Sequence, residues 1–214
     1  MANAARKLMT VEEFLVWCLD QEDRYELEDG VPVRMMTCDG AIRTEGPQRR
    51  AEEYRASSRH DRIVINIISE LRAQLKGSRC TPTTADIALR TKLRFTRRPD
   101  VMVTCDPPRP DIYEATDAKL VVEVLSPTNR GLRWQRKLEE YRHRAGLTYI
   151  LLVKSRAPEA ILLTRVGDGD GWQDTDFDGL DAVVDLTAIG CRLPMAEIYD
   201  GVTFDGTDPD GPTG

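Results

Sequence analysis

The sequence is poor in the residues from which several common kinds of site are built. Two histidines, His60 and His143, in 214 residues exclude a histidine-rich metal centre. The five cysteines, Cys18, Cys38, Cys80, Cys105 and Cys191, are odd in number, scattered and without a Cys-x-x-Cys pair, which argues against a disulfide framework and against structural zinc. No glycine-rich phosphate cradle is present, Ser126 precedes a proline instead of sitting in a nucleophile elbow, and no cysteine has a histidine close by in sequence. No apolar run has the length of a membrane span, and Met1 to Arg6 lead directly into a capped helix rather than forming a signal peptide, so a cytoplasmic protein is expected. Bases are scarce at one end: residues 166–214 hold twelve acids against Arg192 alone. That balance of -11 leaves +5 on residues 1–165 within a whole-chain charge of -6. A basic body with an acidic end keeps DNA or RNA open as a partner despite the net charge.

What is present centres on two apolar runs that each hold one carboxylate. With 41% hydrophobic residues the chain is long enough for one globular domain over residues 1–204, followed by an acidic tail at 205–214 with nothing to bury and therefore expected to be disordered. Asp100 opens the run after Pro99, and taken alone such an acid is as readily a turn residue at a sheet edge. Glu123 is different, because Val121, Val122, Val124 and Leu125 surround it with the kind of continuous run that marks a strand buried on both faces. A charge there demands a partner. A hard cation such as magnesium takes oxygen ligands, and two carboxylates with a backbone carbonyl leave room for water and a phosphate. That donor set describes a site for phosphodiester hydrolysis.

Around these runs the chain reads as an α/β domain, a mixed central sheet flanked by helices, with an N-terminal helix and hairpin. Thr10 and Glu13 form a capping box that opens a helix to about Gln21, and Asp29-Gly30 supplies the turn between strands at 24–28 and 31–36. Glu26 alternates with Tyr25 and Leu27, so it lies either on a solvated strand face or beside the metal as an auxiliary acid. Residues 37–57 read as a loop or partial helix whose arginines are more simply solvated than phosphate-bound. Ile63, Ile67, Ile68, Leu71 and Leu75 mark a helix from Ser58 to about Lys76. His60 in its first turn should resist protonation, and it either packs there or orients a phosphate or a metal-bound water. A turn at 83–86 separates strands near 87–90, 92–96, 100–104 and 120–125. A second helix, capped by Thr128 and Asn129, runs to Arg144. Lys137 lies between Trp134 and Tyr141 on that helix, on the side that should face the sheet. Strands follow at 149–153 and 159–165, then the Asp- and Gly-rich loop 167–171, which lacks the glutamate of a calcium loop.

The order Arg98-Pro99-Asp100-Val101, Glu123-Val124-Leu125-Ser126-Pro127 and Lys137-x-x-x-Tyr141 resembles the Uma-type putative restriction endonuclease family, within the PD-(D/E)XK nuclease superfamily. The likeness extends back to Met9-Thr10-Val11-Glu12-Glu13-Phe14, Arg24-Tyr25-Glu26-Leu27, Asp29-Gly30 and His60, so it spans roughly residues 9 to 204. It implies a magnesium-dependent nuclease acting on DNA, with manganese as a substitute. Asp100 and Glu123 would hold the metal with the Val124 carbonyl, and Lys137 would position water for direct attack on phosphorus. Glu26 and His60 would be auxiliary. The usual lysine position, two residues after the second acid, is Leu125 here, and Lys137 is the migrated substitute. The family often carries an acid four residues before that lysine, where this chain has Arg133, and Arg136 is a competitor for the role of Lys137. A non-catalytic module for nucleic acid or protein that keeps the fold is the competing reading. A homodimer suits a cutter of two strands.

Overall fold

The computed structural model describes residues 8–35, 58–107, 113–125, 132–167, 169 and 171–204. The sequence expectations for the loop at 37–57, the Thr128–Asn129 cap and the tail at 205–214 fall outside them. The chain begins with α1 (Val11–Cys18), β1 (Tyr25–Glu28), β2 (Val31–Arg34) and α2 (Ser58–Gln74), then forms β3 (Thr81–Thr84), β4 (Ala88–Lys92), β5 (Phe95–Arg97) and β6 (Val101–Thr104). Next come β7 (Glu114–Ala115), β8 (Ala118–Leu125), α3 (Leu132–Arg142), β9 (Tyr149–Lys154), β10 (Glu159–Val166) and β11 (Gly171–Asp178). The pair β12 (Val183–Leu186) and β13 (Cys191–Pro194) and the short α4 (Met195–Ile198) close the fold.

At the N-terminus local chemistry decides the elements. Thr10 accepts from the Glu13 amide at 3.1 Å while Glu13 accepts from the Thr10 amide at 3.0 Å, so the capping box forms as its spacing predicts. The Asp29-Gly30 turn places both residues at positive φ, 47° and 76°. A side chain at Gly30 would also stand 2.9 Å from the Leu8 Cβ. The helix stops at Cys18, earlier than the expected Gln21.

Two sheets frame the molecule. One has the order β2-β1-β5-β4-β7 and the other β11-β10-β9-β8-β6-β3. In the second, β8 and β9 are parallel and joined through α3, whereas β6 runs antiparallel to β8. Parallel neighbours need such a crossover. Strand β8 is buried on both faces, as its apolar run implies. Leu120, Val122 and Val124 pack with Ile63, Ile67 and Leu71 of α2 on one face. Val121 packs with Met102, Ile150 and Tyr141 of α3 on the other, where Leu89 and Ala115 of the first sheet join them. Each fully buried side chain of this size contributes about 1.5–3 kcal/mol. Helix α3 is thus held between the two sheets.

Two expectations are corrected. Residues 81–84, read partly as a turn, form edge strand β3, where Pro82 needs no second ladder partner. The expected absence of disulfides also fails, since Cys80 and Cys105 are bonded. Thr81 pairs with Thr104 across β3 and β6, and the next residue on each side is a cysteine. Strand β11, eight residues long, follows the Asp- and Gly-rich loop and pairs antiparallel with β10. Among the described residues no helix is long and apolar enough to cross a membrane.

Candidate active site between β6, β8 and α3

Asp100 directly precedes β6, and Glu123 lies within β8. Val101 stands opposite Val122 in the antiparallel pair, so one step further along the register Asp100 faces Glu123. Because Val122 and Val124 turn toward α2, alternation sends Glu123 to the α3 side. Asp100 Oδ2 accepts the Val124 amide at 2.8 Å and lies 3.3 Å from His60 Nε2. Of the two residues, His60 departs from expectation. Burial does push its pKa down, as the helix terminus was expected to do, but the hydrogen bond to Asp100 and the charges of Asp100, Glu123 and Asp61 raise it above the ordinary value.

Glu123 meets α3 through a single oxygen. The Tyr141 hydroxyl donates to Oε1 at 2.6 Å, and Lys137 Nζ lies 2.7 Å from the same atom. Burial, reinforced by the negative charge of Asp100, pushes the Glu123 carboxyl up to about 7 against the pull of Lys137 and Tyr141. Burial opposes the charge on Lys137 as well, but Glu123 and Glu26 outweigh it and hold the ammonium above its ordinary value. Helical spacing therefore did indicate the correct face: Tyr141 is fully buried and Lys137 turns inward, while Arg136 is exposed.

Behind this pair lies a set of charged residues in which sequence reasoning singled out Glu26 and Arg133 and missed Arg97, Glu28 and Glu140. Arg97 is 2% exposed and donates from Nε and Nη2 to Glu140 at 2.8 Å each, and from Nη1 to Glu26 at 3.0 Å and Glu28 at 2.6 Å. Thr91 donates to Glu140 at 2.8 Å. Glu26, at 4% exposure, is not on a solvated strand face. Although burial raises its pKa, Lys137 and Arg97 more than offset this and hold the carboxyl below the usual range. Arg133, which stands where an acid was expected, pairs with Glu28 at 2.8 Å and approaches Glu26 at 3.5 Å. Only long-range partners identify these residues: Glu26 and Arg97 are 71 positions apart. No local pattern announces them.

Asp100 and Glu123 supply two hard oxygen donors side by side. Burial, and after it the charge of Asp100, raises the Glu123 carboxyl, and a cation shared between the two acids would oppose both effects. Among the described residues no group of three or more His, Cys, Asp and Glu side chains forms a complete metal cage. Carboxylate oxygens are the ligand type that magnesium and manganese take. The Val124 amide donates to Asp100, and Val124 is the residue that follows Glu123 on β8.

Comparison with protein families matches residues 11–196 to the Uma2 family, described as "Putative restriction endonuclease". The chain is 28% identical over 198 residues to an uncharacterized protein of Synechocystis sp., covering 92% of this chain and 94% of the relative. It also matches the crystal structure of a protein from Anabaena variabilis, described as a putative nuclease belonging to DUF820, with a TM-score of 0.61 and 17% identity. That match covers 90% of this chain and 98% of the other, and at this identity the likeness is one of fold.

Proposed function

Because this chain belongs to the Uma2 family, we propose that it is a metal-dependent endonuclease that hydrolyses phosphodiester bonds in DNA, on the restriction-endonuclease-like PD-(D/E)XK plan. The observation that carries the reading is the convergence of Asp100, Glu123 and Lys137 from three elements, with Lys137 Nζ 2.7 Å from Glu123. Asp100 and Glu123 would hold magnesium or manganese, with the Val124 carbonyl as a third donor. When bound, the cation polarises a phosphoryl oxygen and makes nearby water more acidic.

The protein's own groups then divide the remaining work. Lys137 donates to the attacking water and to the charge that develops on phosphorus, in a setting where burial strengthens both interactions. Water oxygen forms the new bond to phosphorus while the bond to the leaving sugar oxygen breaks; the proton lost by the water passes to solvent, the leaving oxygen takes one from solvent, and no covalent enzyme intermediate is needed. Tyr141 keeps Glu123 from rotating away, and His60 holds Asp100 from the α2 side. Arg133, which with the acidic tail favours the non-catalytic reading, is engaged with Glu28 and Glu26. A two-fold homodimer would bring one such site to each DNA strand.

Calorimetric titration with Mn2+ separates the two roles. Wild type and Lys137→Ala should both bind the metal while Asp100→Ala does not, and only wild type should cut DNA. Equal metal binding by wild type and Asp100→Ala would refute the assignment.

A further inference from the structure

We infer that Glu26 is a positioning residue for Lys137 rather than a ligand of the cation, and that Arg97 and Glu140 hold it in that role. The inference deepens the proposed function and rests on it for the task given to Lys137. Four donors surround the Glu26 carboxylate. Oε1 accepts the Arg98 amide at 3.1 Å and faces Lys137 Nζ at 3.6 Å, while Oε2 accepts Arg97 Nη1 at 3.0 Å and faces Arg133 Nη2 at 3.5 Å. Two of the carboxylate's roughly four lone-pair directions take these hydrogen bonds, and the rest meet the cations of Lys137 and Arg133, so a metal at Glu26 would have to displace a charge already in place. Glu26 instead balances Lys137 as a second acid beside Glu123, with the ammonium within 3.6 Å of one and 2.7 Å of the other.

The support for Glu26 is itself built from buried groups. Arg97 uses its planar fork to join β1, β5 and α3, taking both oxygens of Glu140 and sharing Nη1 between Glu26 and Glu28. Glu140 follows Lys137 on α3 at a spacing of three residues, so fixing Glu140 on Arg97 also fixes the rotation that aims Lys137. A buried ion network of this kind holds a fold together no better than apolar packing of the same volume. What it does provide is a defined direction for one cation.

The test compares Glu26→Gln, which keeps the shape of the side chain, with Asp100→Asn and Glu140→Gln in the full chain. With Mn2+ as the probe, Glu26→Gln should weaken binding by less than about tenfold and Asp100→Asn by about 100-fold or more. On DNA, Glu26→Gln should lower kcat by at least about tenfold at unchanged KM, the mark of a contact needed only in the transition state. Loss of Mn2+ binding by Glu26→Gln to the extent seen in Asp100→Asn would overturn the inference. A second readout does not depend on metal or cleavage. The 15N ammonium signal of Lys137, identified by its loss in Lys137→Arg, should shift and exchange faster with water in Glu26→Gln, and to a smaller degree in Glu140→Gln. An unchanged signal in both variants overturns the inference even if wild type takes up no Mn2+, a result that would by itself count only against the metal reading.

Discussion

Lys137 Nζ stands 2.7 Å from Glu123 Oε1, so a helix cation and a strand carboxylate form one unit inside the molecule. Removing either member leaves the other without its closest counter-charge in a buried place. Lys137→Ala should therefore destabilise the protein by about 3–5 kcal/mol. It should also lower cleavage by roughly 10²–10⁴-fold. Urea unfolding and single-turnover cleavage on the same preparation check both numbers. A variant as stable as wild type would show that the pair is not the buried unit described here.

Tyr141→Phe isolates the other donor to Glu123. The hydroxyl at 2.6 Å is lost without a change of shape, and the expected cost is about 1–3 kcal/mol. The hydrogen bond favours the charged carboxylate, so its loss should move Glu123 ionisation to higher pH. NMR titration of the glutamate side chains would report that movement.

The pH dependence of stability follows from opposed shifts. Glu123 is raised to about 7 and His60 is raised, so in the metal-free protein both contribute stability that is present at low pH and lost as pH rises through their folded values. For Glu123 the loss between its ordinary value and about 7 is on the order of 3 kcal/mol. Glu26 and Glu28 are lowered, so their contribution is present above the ordinary carboxylate value and is lost as pH falls below it. Metal-free protein should consequently be most stable on the acidic side of neutral. Thermal melts across pH 4 to 9 test this; a maximum above pH 8 would contradict it.

Much of the site was legible because its members obey short periods. A carboxylate within an apolar strand and a lysine on the sheet-facing side of a helix can be identified from neighbours alone, and both Glu123 and Lys137 were. Arg97, Glu28 and Glu140 could not be, since what makes them special is the approach of the first sheet to α3. The sign of the His60 shift was misjudged for the same reason: the helix terminus is local, whereas Asp100 arrives from another element. Cys80 and Cys105 meet only because Thr81 pairs with Thr104, a register that Pro82 obscured.

That disulfide supplies a further test. It links residues 25 positions apart, and constraint of a loop of that size contributes about 3 kcal/mol through the unfolded chain. Reduction, or Cys105→Ser, should lower Tm by roughly 10 °C. Differential scanning calorimetry with and without a thiol reductant measures it, and an unchanged Tm would mean that the bridge does not constrain the protein.

The most direct test of the central claim is cleavage of mixed plasmid and single-stranded DNA in the presence of magnesium or manganese, with wild type beside Asp100→Ala. Metal-dependent cutting by wild type that disappears in the variant is the predicted result. Undiminished cutting by Asp100→Ala, or no cutting by a wild type that also binds no metal, would contradict it.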